Sequence, residues 1–291
     1  MKYDFLDKNK ILYASIVGAW GDMFASYAHL SLISRLTPLE KFNIIYYGYD
    51  PHIKTFLELQ NNINSVIHIK PKNKEEYEDI AKESGNTESK EWLSKIVPDI
   101  DAKQIIPTHL NSFPKLQGIY IRNFEYNLPE TSLEIPENSI LFNPYSMQSV
   151  PLRGHWRFIP DALEWLIENT DYNIILIGQE KYHHVLYGDT EFPLYISHPK
   201  VTNLVGKTSM LDVLAIAQKC KAIITTSNSL SMWSIISNKP CIVMLNSMLD
   251  DPQKDTSVYY FKEWINCPPN KLLSNRASLE DFEKVMLEWK L

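Results

Sequence analysis

The chain has 291 residues, 44% of them apolar and 22% charged, with a formal net charge of -6. That composition excludes a disordered chain, and no apolar run is long enough to cross a bilayer, so no integral membrane association is expected. Neither half of the chain is basic, which weighs against nucleic acid as the main partner, because duplex binding gathers lysine and arginine against phosphates.

Residues 1–10 are charged throughout and carry no signal-peptide pattern, so a cytoplasmic protein is expected. Cys220, Cys241 and Cys267 are odd in number and lack C-x-x-C spacing, which points to three reduced thiols. Arginine is scarce: Arg35, Arg122, Arg153, Arg157 and Arg276 are the only candidates for a planar, bidentate contact.

In chain order, a buried strand over 11–17 runs into the turn Gly18-Ala19-Trp20-Gly21 and a helix over 22–36. A strand over 43–47, a helix over 51–59 and a strand over 65–69 follow. Short β-rich runs alternating with helices predict a parallel, doubly wound sheet. The charged stretch 72–95 reads as one or two solvated helices, followed by a strand over 118–122. The polar segment 127–138, with Pro129 and Pro136, reads as a linker.

The second half restarts the rhythm. Its expected strands are 139–143, 173–177, 201–204, 222–226 and 241–245; its expected helices are 160–168, 209–219, 230–237 and 279–289. The expected domains are therefore 1–137 and 138–291, with the last helix free to pack back on the first. Two such sheets facing across a cleft would bind ligands at the carboxyl ends of their strands.

Four places could carry chemistry. The first is Gly18-Ala19-Trp20-Gly21-Asp22-Met23, where glycines let the backbone turn and a helix start supplies N–H groups. It is not G-x-G-x-x-G, and Asp22 there is either a helix cap or a carboxylate that takes a proton from an acceptor hydroxyl. The second runs from Asn143-Pro144-Tyr145-Ser146 to Arg153-Gly154-His155-Trp156-Arg157, a long loop whose hydroxyl and arginines suit a diphosphate. The third, Gly206-Lys207-Thr208-Ser209, lacks the earlier glycine of a phosphate loop, and Ser209 is more simply a helix cap. The fourth, Thr225-Thr226-Ser227-Asn228-Ser229-Leu230-Ser231, joins a strand to a helix and offers hydroxyls and free amides to an anion or sugar.

No metal site is expected. Asp99-Ile100-Asp101 is formally D-x-D but sits in a polar, Pro-flanked turn, and His183-His184 has no third ligand at useful spacing. No Gly-x-Ser-x-Gly or Cys/His arrangement suggests covalent catalysis.

The order G-A-W-G-D-M, N-P-Y-S, I-I-L-I-G-Q-E-K, L-V-G-K-T-S-M-L-D-V-L-A and T-S-N-S-L-S-M before N-K-P-C-I-V-M resembles glycosyltransferase family nine, the ADP-heptose:lipopolysaccharide heptosyltransferases and their relatives. The likeness covers residues 139–245 best. It implies a GT-B fold, two Rossmann-like domains, and metal-independent, inverting transfer from a nucleotide-diphosphate sugar with no cofactor. Asp22 takes the place of the family's general base. The resemblance draws the donor to Ser146, Arg153, Gly178, Lys207, Ser227, Asn228, Ser229 and Leu230, and the acceptor to Gly18, Trp20 and Gly21. The family's aspartate and histidine in the last turn fall on Ser227 and Met232. A weaker likeness, in S-N-S-L-S-M-W and G-A-W-G-D-M-F-A-S-Y-A, is to the α-1,2-fucosyltransferases, whose H-x-R-R-G-D-Y motif is absent. The partners expected are thus a nucleotide sugar and a glycan or other hydroxyl acceptor. Two alternatives remain: transfer to a hydroxymethylated DNA base, and an inactive protein that binds a sugar nucleotide or glycan.

Overall fold

The computed structural model describes residues 13–36, 41–73, 75–76, 97–100, 105–107, 126–145, 156–184, 188–191, 194, 196–226, 228–244, 270–274 and 276–289. The chain divides into two compact units, Met1–Leu128 and Pro129–Leu291, so the division falls at the start of the polar 127–138 segment.

In the first unit, β1 (Tyr13–Val17), β2 (Phe42–Tyr47), β3 (Ile63–Ile69) and β4 (Ile105–Pro107) form a parallel sheet in the order β3-β2-β1-β4. The two central strands are apolar runs, buried from Ala14 to Val17 and from Ile44 to Tyr47, as sheets covered on both faces require. Helix α1 (Trp20–Leu36) buries Met23, Phe24, Tyr27, Ala28 and Leu30, too wide a spread for a half-wetted surface helix. Helix α2 (Pro51–Glu58) has a stronger local signal. Asp50 is its N-cap and accepts from the His52 N–H, Pro51 opens its first turn, and Ile53, Phe56 and Leu57 face inward. Strand β3 begins two residues earlier than its sequence pattern suggests, and β4 is a three-residue strand that the sequence does not announce. The expected strand over 118–122 and nearly all of 72–95 lie outside the described residues.

The second unit holds β5 (Ser139–Asn143), β6 (Asn173–Leu176), β7 (Lys181–His184), β8 (Gly188–Glu191), β9 (Val201–Asn203), β10 (Ala222–Thr226), β11 (Cys241–Met244) and β12 (Lys271–Leu273). Six of these make a parallel sheet in the order β12-β11-β10-β5-β6-β9, while β7 and β8 form a separate antiparallel pair that contains His183 and His184. Counted along the unit, the large sheet runs 3-2-1-4-5-6, the doubly wound order. Its helices are α3 (Ile159–Asn169), α4 (Met210–Lys219), α5 (Ser229–Ser237) and α6 (Leu279–Glu288).

Helix ends in this unit are closed by side chains. Ser209 with Asp212, and Ser278 with Asp281, make reciprocal capping boxes at the starts of α4 and α6. The Lys200 Nζ donates to the Ile167 and Thr170 carbonyls at the end of α3, both at 2.7 Å. The Lys239 Nζ does the same for Gln218 and Cys220 after α4, and burial lowers its pKa. Cys220 and Cys241 are buried free thiols, each pushed up to about 12 chiefly by burial, so neither is a reactive thiolate; Cys267 lies outside the described residues.

The last helix is part of this unit's own core. Phe282, Met286 and Trp289 are buried among Trp156, Ile159 and Leu163, and the Trp156 indole N–H donates to the Ala277 carbonyl at 2.7 Å. Truncating an aromatic as enclosed as Trp156 to alanine costs about 3–5 kcal/mol.

Candidate functional site

In a parallel sheet the loops that follow the strands gather at one edge, and a crevice opens where neighbouring strands send their connections in opposite directions. The first unit's sheet has that switch point between β1 and β4, so the crevice lies beside the turn that follows Val17. The second unit has it between β5 and β10, beside Asn143-Pro144-Tyr145 and the turn that follows Thr226. Three of the four polar segments singled out in the sequence thus lead directly out of switch-point strands, those that begin at Gly18, Asn143 and Thr225.

The first turn is tightly determined. Gly18 sits at φ +124°, donates its N–H to the Tyr47 carbonyl at 3.3 Å, and has no room for a Cβ, which would collide with the Asp22 carboxylate. Helix α1 starts at Trp20, two residues before the sequence-based start. Ala19 is therefore at the N-cap, and Asp22 is the third helical residue, where its Oδ2 accepts from the Ala19 N–H at 3.1 Å. This is half of a capping box, the alanine having no oxygen to return the bond. Asp22 is exposed and Gly21 half-buried. Trp20 turns inward: it is 7% exposed and packs 5.6 Å from Phe24 and 5.9 Å from Phe56 between ring centroids. Its indole N–H donates to Asp50 Oδ2 at 2.6 Å.

Among the described residues, the second unit's crevice is built from uncharged groups. Asn143 stands in register with Thr225, and its buried Oδ1 has no hydrogen-bond partner among the described residues. Tyr145 beyond it is buried, which pushes its phenol up to about 12 and keeps it neutral. Asn228 caps α5: its Oδ1 accepts from the Leu230 N–H at 2.9 Å, the Ser231 N–H at 3.3 Å and the Thr225 hydroxyl at 3.3 Å. Its Nδ2 donates to Thr226 Oγ1 at 3.3 Å. Two amides that look free in the sequence are therefore held by Asn228, and an anion at this helix start would displace its carbonyl or bind beside it. Ser229 is half-buried, whereas the Leu230 and Met232 side chains are buried, so Leu230 offers a ligand only its backbone.

Gly178 and Lys207 lie further along the same edge. The Gly206 N–H donates to the Gly178 carbonyl at 2.9 Å, which ties the loops after β6 and β9 together. Gly206, at φ +70°, leaves no room for a Cβ beside Glu180. Lys207 is exposed, with its Nζ on the Asn203 carbonyl at 3.1 Å. Strand β9 is two steps from β5, roughly 10 Å at ordinary strand spacing, so Lys207 reaches the crevice only by extending its side chain. Ser146, Arg153 and Ser227 lie outside the described residues.

Two features escape a sequence reading. Asn143 was part of the N-P-Y-S segment, but nothing in one sequence singles out its amide as unpartnered. The Trp20–Asp50 bond spans 30 residues; its one local signal is the Asp50-Pro51 pair, which marks a helix start. No group of three or more His, Cys, Asp or Glu side chains that could hold a metal occurs among the described residues, and of the D-x-D stretch Ile100 is buried against Ile45.

No protein-family model and no curated protein sequence matches the chain. Solved structures do match it. The E. coli ADP-heptose lipopolysaccharide heptosyltransferase II aligns with a TM-score of 0.54 at 13% identity, over 95% of this chain and 99% of that one. E. coli heptosyltransferase WaaC, solved with ADP, gives 0.56 at 11% identity over 96% and 99%. A family 9 glycosyltransferase from Veillonella parvula gives 0.55 at 11% identity over 97% and 90%. The fold is GT-B. The structural likeness to family nine heptosyltransferases thus extends over nearly the whole chain, including the first unit, where the sequence motifs were sparse.

Proposed function

We propose that the protein is a GT-B glycosyltransferase that moves a sugar from a nucleotide-diphosphate donor to an acceptor hydroxyl, with inversion and without a metal. The observation that carries this is the position of the polar turns: in a GT-B chain, each unit's sheet has one of them at its switch point. Asp22 is the general base of the reading. It is exposed at the turn, and no other carboxylate shares that turn.

In the proposed reaction the acceptor oxygen attacks the anomeric carbon from the side opposite the diphosphate while its proton passes to Asp22. The bond to the diphosphate breaks, and its negative charge grows on the leaving oxygen. Preorganised donors at that oxygen stabilise the transition state more than the ground state. The positive end of α5, the amides organised by Asn228, and Ser146, Arg153, Ser227 and Ser229 are assigned that work, with Gly178 and Lys207 beside the nucleotide. Gly21, half-buried at the same turn, leaves the acceptor close access to the backbone, while Gly18 makes room for the Asp22 carboxylate.

A transfer assay in EDTA tests the reading. Nucleoside diphosphate release from ADP-, GDP-, UDP-, CDP- or dTDP-sugars is expected, with a product of inverted anomeric configuration by NMR. A requirement for added divalent metal, or a retained configuration, would contradict it.

A further inference from the structure

We propose that Trp20 and Asp50 are positioning residues for Asp22, acting through a hydrogen bond that clamps the start of α1 to the start of α2. The proposal rests on the assignment of Asp22 as base. Asp50 uses both carboxylate oxygens: Oδ1 accepts from the His52 N–H at 2.9 Å and caps α2, and Oδ2 accepts from the Trp20 indole at 2.6 Å. The indole cannot swing away, because its ring lies in an aromatic cluster with Phe24 and Phe56, and Phe56 also meets Tyr27 edge-on at 5.8 Å. Trp20 is the first residue of α1, next to the Ala19 whose N–H holds Asp22 Oδ2.

The clamp therefore fixes the backbone from which the carboxylate projects. Gly18 bounds the same carboxylate on its other side, since even a methyl group there would strike it. A base is effective only when held within hydrogen-bond reach of the proton it removes, and small displacements of a catalytic group cost much rate. A tryptophan whose N–H is spent on a buried-side bond, two residues before an exposed aspartate, fits this positioning role better than contact with an acceptor.

Two variants separate the bond from the packing. Trp20→Phe keeps an aromatic ring and removes the donor. Asp50→Asn keeps a good N-cap oxygen for His52 and turns an NH2 group toward the indole N–H. The first readout is exchange of the Ala19 amide by NMR, which reports the Ala19–Asp22 bond without any substrate. Both variants should speed that exchange at least fivefold while the β1 and β2 amides stay protected. The second readout is release of nucleoside diphosphate from ADP-glucose, GDP-mannose, UDP-glucose or dTDP-glucose. There kcat should fall about tenfold with the donor KM unchanged, and adding Trp20→Phe to Asp22→Asn should lose nothing further.

Unchanged Ala19 exchange in both variants would overturn the proposal, as would additive losses in the double variant. If Trp20→Phe fails to fold, Asp50→Asn decides alone. If no sugar nucleotide turns over, the exchange result decides. Full turnover by Asp22→Asn alone would instead remove the base assignment and leave the exchange data to judge the clamp.

Discussion

The two switch-point turns solve the same geometric problem with opposite chemistry. In the first unit a glycine at positive φ leads into a helix whose first turn carries a carboxylate, and that carboxylate occupies the local N–H group. In the second unit the turn is uncharged, the Thr225 and Thr226 hydroxyls and the Asn228 amide satisfy one another, and the helix start keeps its positive end. On the proposed reading the first turn takes up a proton and the second an anion. That difference is what a reaction needs when it removes a proton from one substrate and charge builds on the leaving group of the other.

The most disruptive way to break the contrast is to neutralise the first turn. Asp22→Asn should lower turnover by about 10²- to 10⁴-fold, the range that general-base catalysis supplies, while nucleotide binding stays as it was. Kinetics and nucleotide titration on the same protein check both halves. Gly18→Ala should come next: with φ +124° and no space beside Asp22, it should cost about 1–3 kcal/mol in stability, read as a lower denaturant midpoint, and displace the carboxylate as well.

At the second turn, Asn228→Ala should cost about 1 kcal/mol, the usual worth of an N-cap, and tighten nucleoside diphosphate binding a few-fold because it frees the Leu230 and Ser231 amides that its Oδ1 occupies. Unchanged binding would make Asn228 a cap and nothing more.

The smallest effect lies away from both turns and serves as a control. The Ser278 backbone and hydroxyl bonds hold the Asp281 carboxyl below its ordinary value. A group whose folded pKa is depressed stabilises the protein above its unfolded pKa, near 3.8, and loses that contribution as pH falls through the folded value. Ser278→Ala should therefore lower stability slightly at neutral pH and flatten its fall on the acid side, with turnover unaffected.

The parallel architecture was legible because buried central strands are mostly apolar runs without polar alternation, and β1, β2, β5, β6, β10 and β11 all read that way. Capping chemistry was legible too: Ser209 three residues before Asp212 announces α4. What escaped depends on long-range pairing. Strands β4 and β12 are three residues long and owe their state to a neighbour, the first beside β1 and the second beside β11. The pair β7–β8, with two histidines and a glycine, lacks the alternation that marks a strand.

The sequence places the start of α1 two residues late, because Asp22 marks a helix start while being the third helical residue, reaching back to an alanine that contributes no side-chain oxygen. For the last helix, Phe282, Met286 and Trp289 show an apolar face in the sequence but not its partner. At the candidate site the turns were visible as polar, glycine-containing joints between strand and helix. Their internal bonds were not, since Asn228 looks the same in sequence whether it holds its own helix's amides or leaves them to a ligand.

The most direct test of the central claim, that this GT-B chain binds a nucleotide-diphosphate sugar without a metal, is a thermal-shift screen in EDTA against ADP, GDP, UDP, CDP and dTDP. Stabilisation grows with the ratio of ligand concentration to Kd, about 2.7 kcal/mol at a hundredfold excess, so a preferred nucleotide stands apart. The account predicts a clear rise in Tm with one nucleotide, undiminished by EDTA and retained in Asp22→Asn. No rise with any nucleotide would contradict it and leave the shared fold as a mark of ancestry alone.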